Sequence, residues 1–370
     1  MAEKKRFTNY ELLRVIAMVM VVVLHFLSHS DSLLSLNAPV SGVRILGTLL
    51  ESFCLVAVNV YILISGYFGV KGSFKPGKAI SLLCQIWFYA FLILAAVMVL
   101  GQPAKLQELG IYGAVKYVFP IESETYWFAT SYFMLYLLSP VLNGAARNMT
   151  KRQLQITITG LLILFCGIKS ISPVVFPVDR YGYDLAWFIC VYLVAAYLGL
   201  YGLPFFKKHS LLVYAGSSLI TFGMVVVLWF GAQRWSSLGY YFTVPFHYNF
   251  VLCLTGAMGL FYCFLKLRIR EGGAAAAIRK LGELSFGVYL FHEHIDIRNL
   301  WYGYLKRLIN PAGEEGIGFF FMELVCCVVI LFAAGILIDY VRSAMFRLAS
   351  MGLARTKLYK KIKDLEQEFG

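Results

Sequence analysis

The chain has 370 residues, 60% of them hydrophobic and only 14% charged, with a mean hydropathy of +0.72. A soluble domain carries about a quarter of its residues as charges, so that class is excluded. Apolar windows of about 20 residues recur, the length a helix needs to cross a bilayer, and the short alternating segments of a membrane β-barrel are absent. The expected fold class is all-α, a polytopic transmembrane helix bundle. The net charge of +13 then reads as cytoplasmic loop bias. No basic stripe with interleaved aromatics lies in a soluble segment, so nucleic acid is not an expected partner.

In chain order, the basic start Lys4-Lys5-Arg6 runs into a long apolar stretch that lacks a small-residue cleavage site, which predicts a retained first span. Ten spans are expected, at 10–29, 43–67, 79–100, 126–142, 153–170, 185–201, 210–231, 246–266, 281–298 and 318–340. The fourth and fifth are short enough to be tilted, broken or partly interfacial. With the N-terminus inside, the cytoplasmic segments hold 23 Lys and Arg against eight outside, which supports ten spans and two cytoplasmic termini. Residues 1–345 then form one transmembrane domain, and 346–370 form a charged cytoplasmic tail with a short helix at the membrane surface. The long outer loops, 101–125, 171–184 and 299–317, carry Tyr, Trp, Gly, Pro and acids. Interfacial anchoring and a sugar-binding surface both use that composition. The eight cysteines fall within apolar runs without a C-x-x-C pair, which argues for packing rather than zinc or disulfides.

Ionisable residues inside spans are expensive and are functional candidates by default. Arg14 and His25 are eleven residues apart in the first span. At about 100° per residue that step falls about 20° from three whole turns, so the two share a face, with Cα atoms about 16 Å apart along the axis. Arg14 lies toward the cytoplasmic end and His25 toward the outside. A snorkelling arginine and a histidine bonded to a neighbouring helix also fit these positions. His29 follows His25 by four, a metal-pair spacing, but no third ligand is identifiable and no metal is expected. Glu51 of the second span falls at the depth of His25 and is a candidate to orient it, as a carboxylate does in a hydrolase triad; another outer-half acid would serve as well. His247, His292, Glu293, His294 and Glu323 fall near the same level, which implies a polar cavity open to the outside. On the inner side Arg14, Lys71, Lys75, Lys78, Lys266, Arg268 and Arg270 offer a subset that could hold a phosphate-bearing cofactor.

Four segments carry a resemblance. "YELLRVIAMVMVVVLHF", with Arg14 and His25, resembles the first helix of the acyltransferase-3 family of membrane acyltransferases. "VNVYILISGYFGVKGSFKP" is similar to the family's second helix with Ser65-Gly66-Tyr67, "YWFATSYFMLYLLSPVLN" to its Tyr-Trp-Phe…Leu-Ser-Pro helix from Tyr126 to Asn143, and "LGELSFGVYLFHEH" to its Ser…Tyr-Leu-hydrophobic-His segment from Ser285 to His292. They occur in the family's order and span most of the chain.

The resemblance implies transfer of an acyl group, usually acetyl from cytoplasmic acetyl-CoA, to a sugar hydroxyl at the surface of a bacterial inner membrane. The acceptor would be a cell-surface glycan or its lipid-linked precursor. His25 would be the base or acyl-handling residue, with Arg14 its partner. Arg14, Ser65, Lys75 and Lys78 would meet the donor, and Tyr126, Trp127, His292 and Glu293 the carbohydrate acceptor. Where many members carry Arg-x-x-Arg entering the third helix, this chain has Lys75-Pro-Gly-Lys78, two point charges in place of guanidinium forks. Membrane lipid is an expected partner, and a homo-oligomer is left open. The rival class is a proton-coupled transporter or flippase of glycan precursors, with His25, Glu51 and the outer-half acids as a proton relay.

Overall fold

The computed structural model describes residues 7–101, 104–172, 179–354 and 356–368. The basic start Lys4-Lys5-Arg6, residues 102–103 and 173–178 of two outer loops, and Arg355 lie outside the described residues. The helices in chain order are α1 (Thr8–His29), α2 (Gly42–Cys54), α3 (Ala57–Gly69), α4 (Pro76–Val99), α5 (Lys105–Leu109), α6 (Ile111–Val118), α7 (Trp127–Asn148), α8 (Lys151–Leu162), α9 (Ile168–Ile171), α10 (Leu185–Tyr201), α11 (Pro204–Arg234), α12 (Val251–Lys266), α13 (Gly273–His292), α14 (Trp301–Ile309), α15 (Ile317–Leu353) and α16 (Lys357–Glu368). No strand occurs among the described residues.

This is a multi-pass helical membrane protein. Each of the ten expected spans overlaps a helix or consecutive helices, though 281–298 runs past the end of α13 at His292 and 246–266 begins before α12, and seven of those segments are long and apolar enough to cross a membrane. The other three explain themselves locally. α10 is apolar but only 17 residues long. α7 dilutes its apolar run with Thr130, Ser131, Ser139 and Asn143, all buried against other helices. α13 carries Arg279, Lys280 and Glu283 near its middle. The second span is two helices, α2 and α3, with a break at Leu55–Val56. The fifth is α8 and α9 joined by a π turn over Ile163–Gly167. α15 continues without a break through position 345 to Leu353, and α16 follows and packs on the start of α4.

Burial sorts the helices as a bilayer requires. α10 and α3 occupy the centre, with most of their side chains inside. α4, α11 and α15 turn Leu92, Leu219, Val227, Val329 and Leu337 outward; hydrocarbon is as good a neighbour for these as another helix is. Two glycines set where α13 lies. A Cβ on Gly282 would come within 2.8 Å of the Glu11 Cβ on α1, and one on Gly335 of α15 would come within 2.5 Å of the Val288 Cα. Only a hydrogen at these positions allows α13 to wedge between α1 and α15. The wedge is pinned at one end by a buried ionic cluster. Asp339 accepts from Arg342 Nε at 2.6 Å and Nη2 at 2.9 Å, from Gln85 at 2.8 Å and from Tyr89 at 3.2 Å, tying α15 to α4.

Candidate active site

His25 is presented by the face of α1 that Met18, Val21 and Val22 bury, and its ring meets the C-terminal end of α13. The proton positions follow from the partners. His292 Nδ1 lies 2.6 Å from the Val288 carbonyl oxygen, one turn earlier on α13. A carbonyl only accepts, so Nδ1 carries the hydrogen, and Nε2 of the neutral ring is an acceptor. That Nε2 lies 2.8 Å from His25 Nδ1, so His25 Nδ1 is the donor. The Glu293 Oε1 carboxylate, at 3.4 Å from the same nitrogen, also asks for a hydrogen there. His25 Nε2 is left with a lone pair. The chain from backbone carbonyl through His292 to His25 sets the ring orientation and tautomer of His25, as a hydrogen bond to one ring nitrogen does for histidines in general.

His25, His292 and Glu293 offer three ligand atoms within 4.8 Å of one another, a composition that could hold a metal ion. Two imidazole nitrogens on one tetrahedral ion with bonds of about 2.0–2.1 Å stand roughly 3.3 Å apart. The 2.8 Å separation of His25 Nδ1 and His292 Nε2 is that of a hydrogen bond instead.

Two cavities lie along the seam of α1, α3 and α7. The larger holds about 460 Å³ and is lined by Arg14, Ser65, Lys75, Lys78, Tyr132 and Tyr136, among others; small-molecule sites commonly fall at about 300–1,000 Å³. The smaller holds about 20 Å³ beside His25, among Met18, Val21, Val58, Tyr61, Trp127 and Phe286, room for roughly one water-sized or methyl-sized group. The large cavity is cationic. Arg14 Nη1 sits 2.6 Å from Glu11 Oε1, and the Lys78 ammonium lies 5.1 Å from the centre of the Tyr136 ring. Neither Lys75 nor Lys78 has an ion pair among the described residues. Ser65 donates to the Tyr61 carbonyl at 2.9 Å, and its oxygen lies 3.0 Å from the Tyr132 hydroxyl.

The structure therefore gathers Arg14, Ser65, Lys75 and Lys78, from three separate helices or their edges, around one cavity. It places His25, Trp127, His292 and Glu293 together one level further along. Three expectations change. His292, expected on the acceptor side, is 0% exposed with both ring nitrogens taken by the Val288 carbonyl and His25, so it has no atom free for a ligand. Glu51 does not reach His25: the acid there is Glu293, because α13 and not α2 packs on the His25 face of α1. Glu51 Oε2 is buried with no hydrogen-bond partner among the described residues. Tyr126, expected on the acceptor side, is 1% exposed, and its hydroxyl donates to the Leu290 carbonyl at 3.1 Å. It ties the start of α7 to α13 and offers no surface to a ligand. Sequence reading also missed Tyr61 and the aromatic pair Tyr132 and Tyr136; their i, i+4 spacing within α3 and α7 was the available signal. Lys169 was missed as well. It is buried in an ion pair with Asp179 and lies 4.6 Å from the centre of the Tyr181 ring. With Arg180, paired to Glu124 at 2.8 Å and raised in pKa by that hydrogen bond, it fastens the segment before α10 to α9 and to the turn before α7.

Residues 7–339 match the family model described as the acyltransferase domain, acyltransferase-3. The chain belongs to this family. No curated protein and no solved structure gives a match. The match covers nearly the whole of this membrane acyltransferase, from the start of α1 into α15, so both cavities lie within the matched span.

Proposed function

We propose that this acyltransferase moves an acetyl group from cytoplasmic acetyl-CoA to a hydroxyl of a cell-surface glycan, or of its lipid-linked precursor, at a bacterial inner membrane. The observation that carries the reading is the pairing of a tautomer-fixed base with a cationic cavity on one helical seam. Arg14, Lys75 and Lys78 suit the phosphates of the donor, since charged donors to phosphate make the stronger hydrogen bonds. Arg14 lies about 16 Å from His25 along α1, so it serves the donor and not the reacting carbonyl.

In the transfer, His25 Nε2 takes the acceptor hydroxyl proton as that oxygen attacks the thioester carbon. The carbon–sulfur bond breaks, and His25 returns the proton to the departing CoA sulfur. While His25 is charged, its Nδ1–H is held by His292 and by Glu293, whose carboxylate also balances the charge. The apolar cavity of about 20 Å³ beside His25 suits the methyl of acetyl and has no cation for the distal carboxylate of a succinyl group.

The test uses the purified full-length protein in lipid nanodiscs with radiolabelled acetyl-CoA and a panel of surface polysaccharides and lipid-linked precursors. Label ester-linked to a glycan, with one CoA thiol released per ester, is the expected result. Absence of CoA release, together with movement of a labelled precursor across proteoliposomes, would replace this reading with the transporter.

A further inference from the structure

The two cavities are built on the same three helices yet share no lining residue. Along α3, Tyr61 faces the His25 cavity, and Ser65, one turn on, faces the larger one. Along α7 the same step separates Phe128 from Tyr132. Tyr61 is the side chain that bridges the step. Its ring stands edge-on to Phe128, with centroids 5.9 Å apart. Its hydroxyl donates to the Arg14 carbonyl at 2.7 Å, so its ring lies at the Arg14 end of the His25 cavity. An α-helical carbonyl has a second lone pair beyond its intrahelical bond, so the hydroxyl can let go without opening α1. Tyr61 therefore stands on the α3 side of the step between the cationic cavity and His25.

We infer that Tyr61 is the neck between the donor cavity and His25, and that it sets the length of the acyl group delivered to the base; the inference rests on the donor reading above. The bonds made and broken are the same for any acyl group: oxygen to carbonyl carbon forms, carbon to sulfur breaks, and the hydroxyl proton passes through His25 to sulfur. Only the chain attached to the carbonyl differs, and it must fit a space of about 20 Å³ bounded by Tyr61, Met18 and Val58. Tyr61 is thus a specificity-determining residue that acts through shape, while its hydroxyl only holds the ring in place.

The experiment compares kcat/KM for acetyl-, butyryl- and hexanoyl-CoA in wild type, Tyr61→Phe and Tyr61→Ala. It reads CoA thiol release with acceptor present, and CoA affinity by calorimetry as the control for an intact donor cavity. Tyr61→Phe keeps the ring and should keep the acetyl-to-butyryl preference. Tyr61→Ala should shift that ratio toward butyryl by about tenfold or more, since one methylene in an apolar pocket is worth about 10- to 200-fold. A Tyr61→Ala variant that binds CoA normally and keeps the wild-type ratio overturns the inference alone. A wild type that binds no CoA overturns the donor reading and the inference with it. Should Tyr61→Ala lose CoA binding, Tyr61→Leu is measured against the same criterion.

Discussion

Replacing His292 with alanine isolates the hydrogen bond that orients His25. The His25 Nδ1–H then loses its acceptor at 2.8 Å and keeps only Glu293 Oε1 at 3.4 Å. A buried donor left unsatisfied costs about 1–3 kcal/mol, which at about 1.36 kcal/mol per factor of ten predicts a fall in kcat of roughly 5- to 150-fold. The Glu293 carboxylate draws the expected value toward the lower part of that range. KM for acyl-CoA should not move, because the donor cavity is lined by other residues. The assay is initial-rate CoA thiol release by the purified protein at saturating acceptor, with a thermal unfolding midpoint as the folding control. His292→Gln, whose amide oxygen can accept from His25, should recover part of the loss. A His292→Ala enzyme within twofold of wild type would refute the hydrogen-bonded relay, and a change confined to KM would place His292 at the donor instead.

Two further outcomes follow from the same geometry. The Lys75→Ala, Lys78→Ala double variant should weaken CoA binding by about tenfold or more, since hydrogen bonds to charged groups contribute about 1.5–3 kcal/mol each. Isothermal titration at two salt concentrations checks this, and an unchanged affinity would remove the lysines from the donor site. Asp339→Ala leaves Arg342, 9% exposed, without its bidentate partner. Breaking one side of a buried pair costs about 3–5 kcal/mol, so the variant should unfold at a clearly lower temperature in nanodiscs; an unchanged midpoint would show that the cluster is not a structural clamp.

Much of this arrangement was legible from the chain, and the parts that were not share a cause. Hydropathy and the Lys/Arg bias located every helix that carries the site, because a bilayer imposes length and composition one segment at a time. Helical arithmetic placed Arg14 and His25 on one face of α1, a property of a single helix. Which helix meets that face is a matter of packing between helices, and it turned on Gly282 and Gly335 admitting α13. Glu51 and Glu293 were at equal depth by counting, so depth could not choose between them. Tyr126 misled for a related reason: it was expected to meet the acceptor, and only the Leu290 carbonyl in reach of its hydroxyl makes it a core residue. Tyr61 carried no charge to draw attention, and its place between two cavities exists only once α1, α3 and α7 are assembled.

The most direct test of the central claim is the rate of CoA thiol release from acetyl-CoA by purified His25→Ala protein with acceptor present. General base catalysis contributes about 10²- to 10⁴-fold, so the rate should fall by that factor while calorimetric affinity for CoA stays at the wild-type value. Wild-type turnover by a His25→Ala enzyme that binds CoA normally would contradict the assignment of His25 as the base.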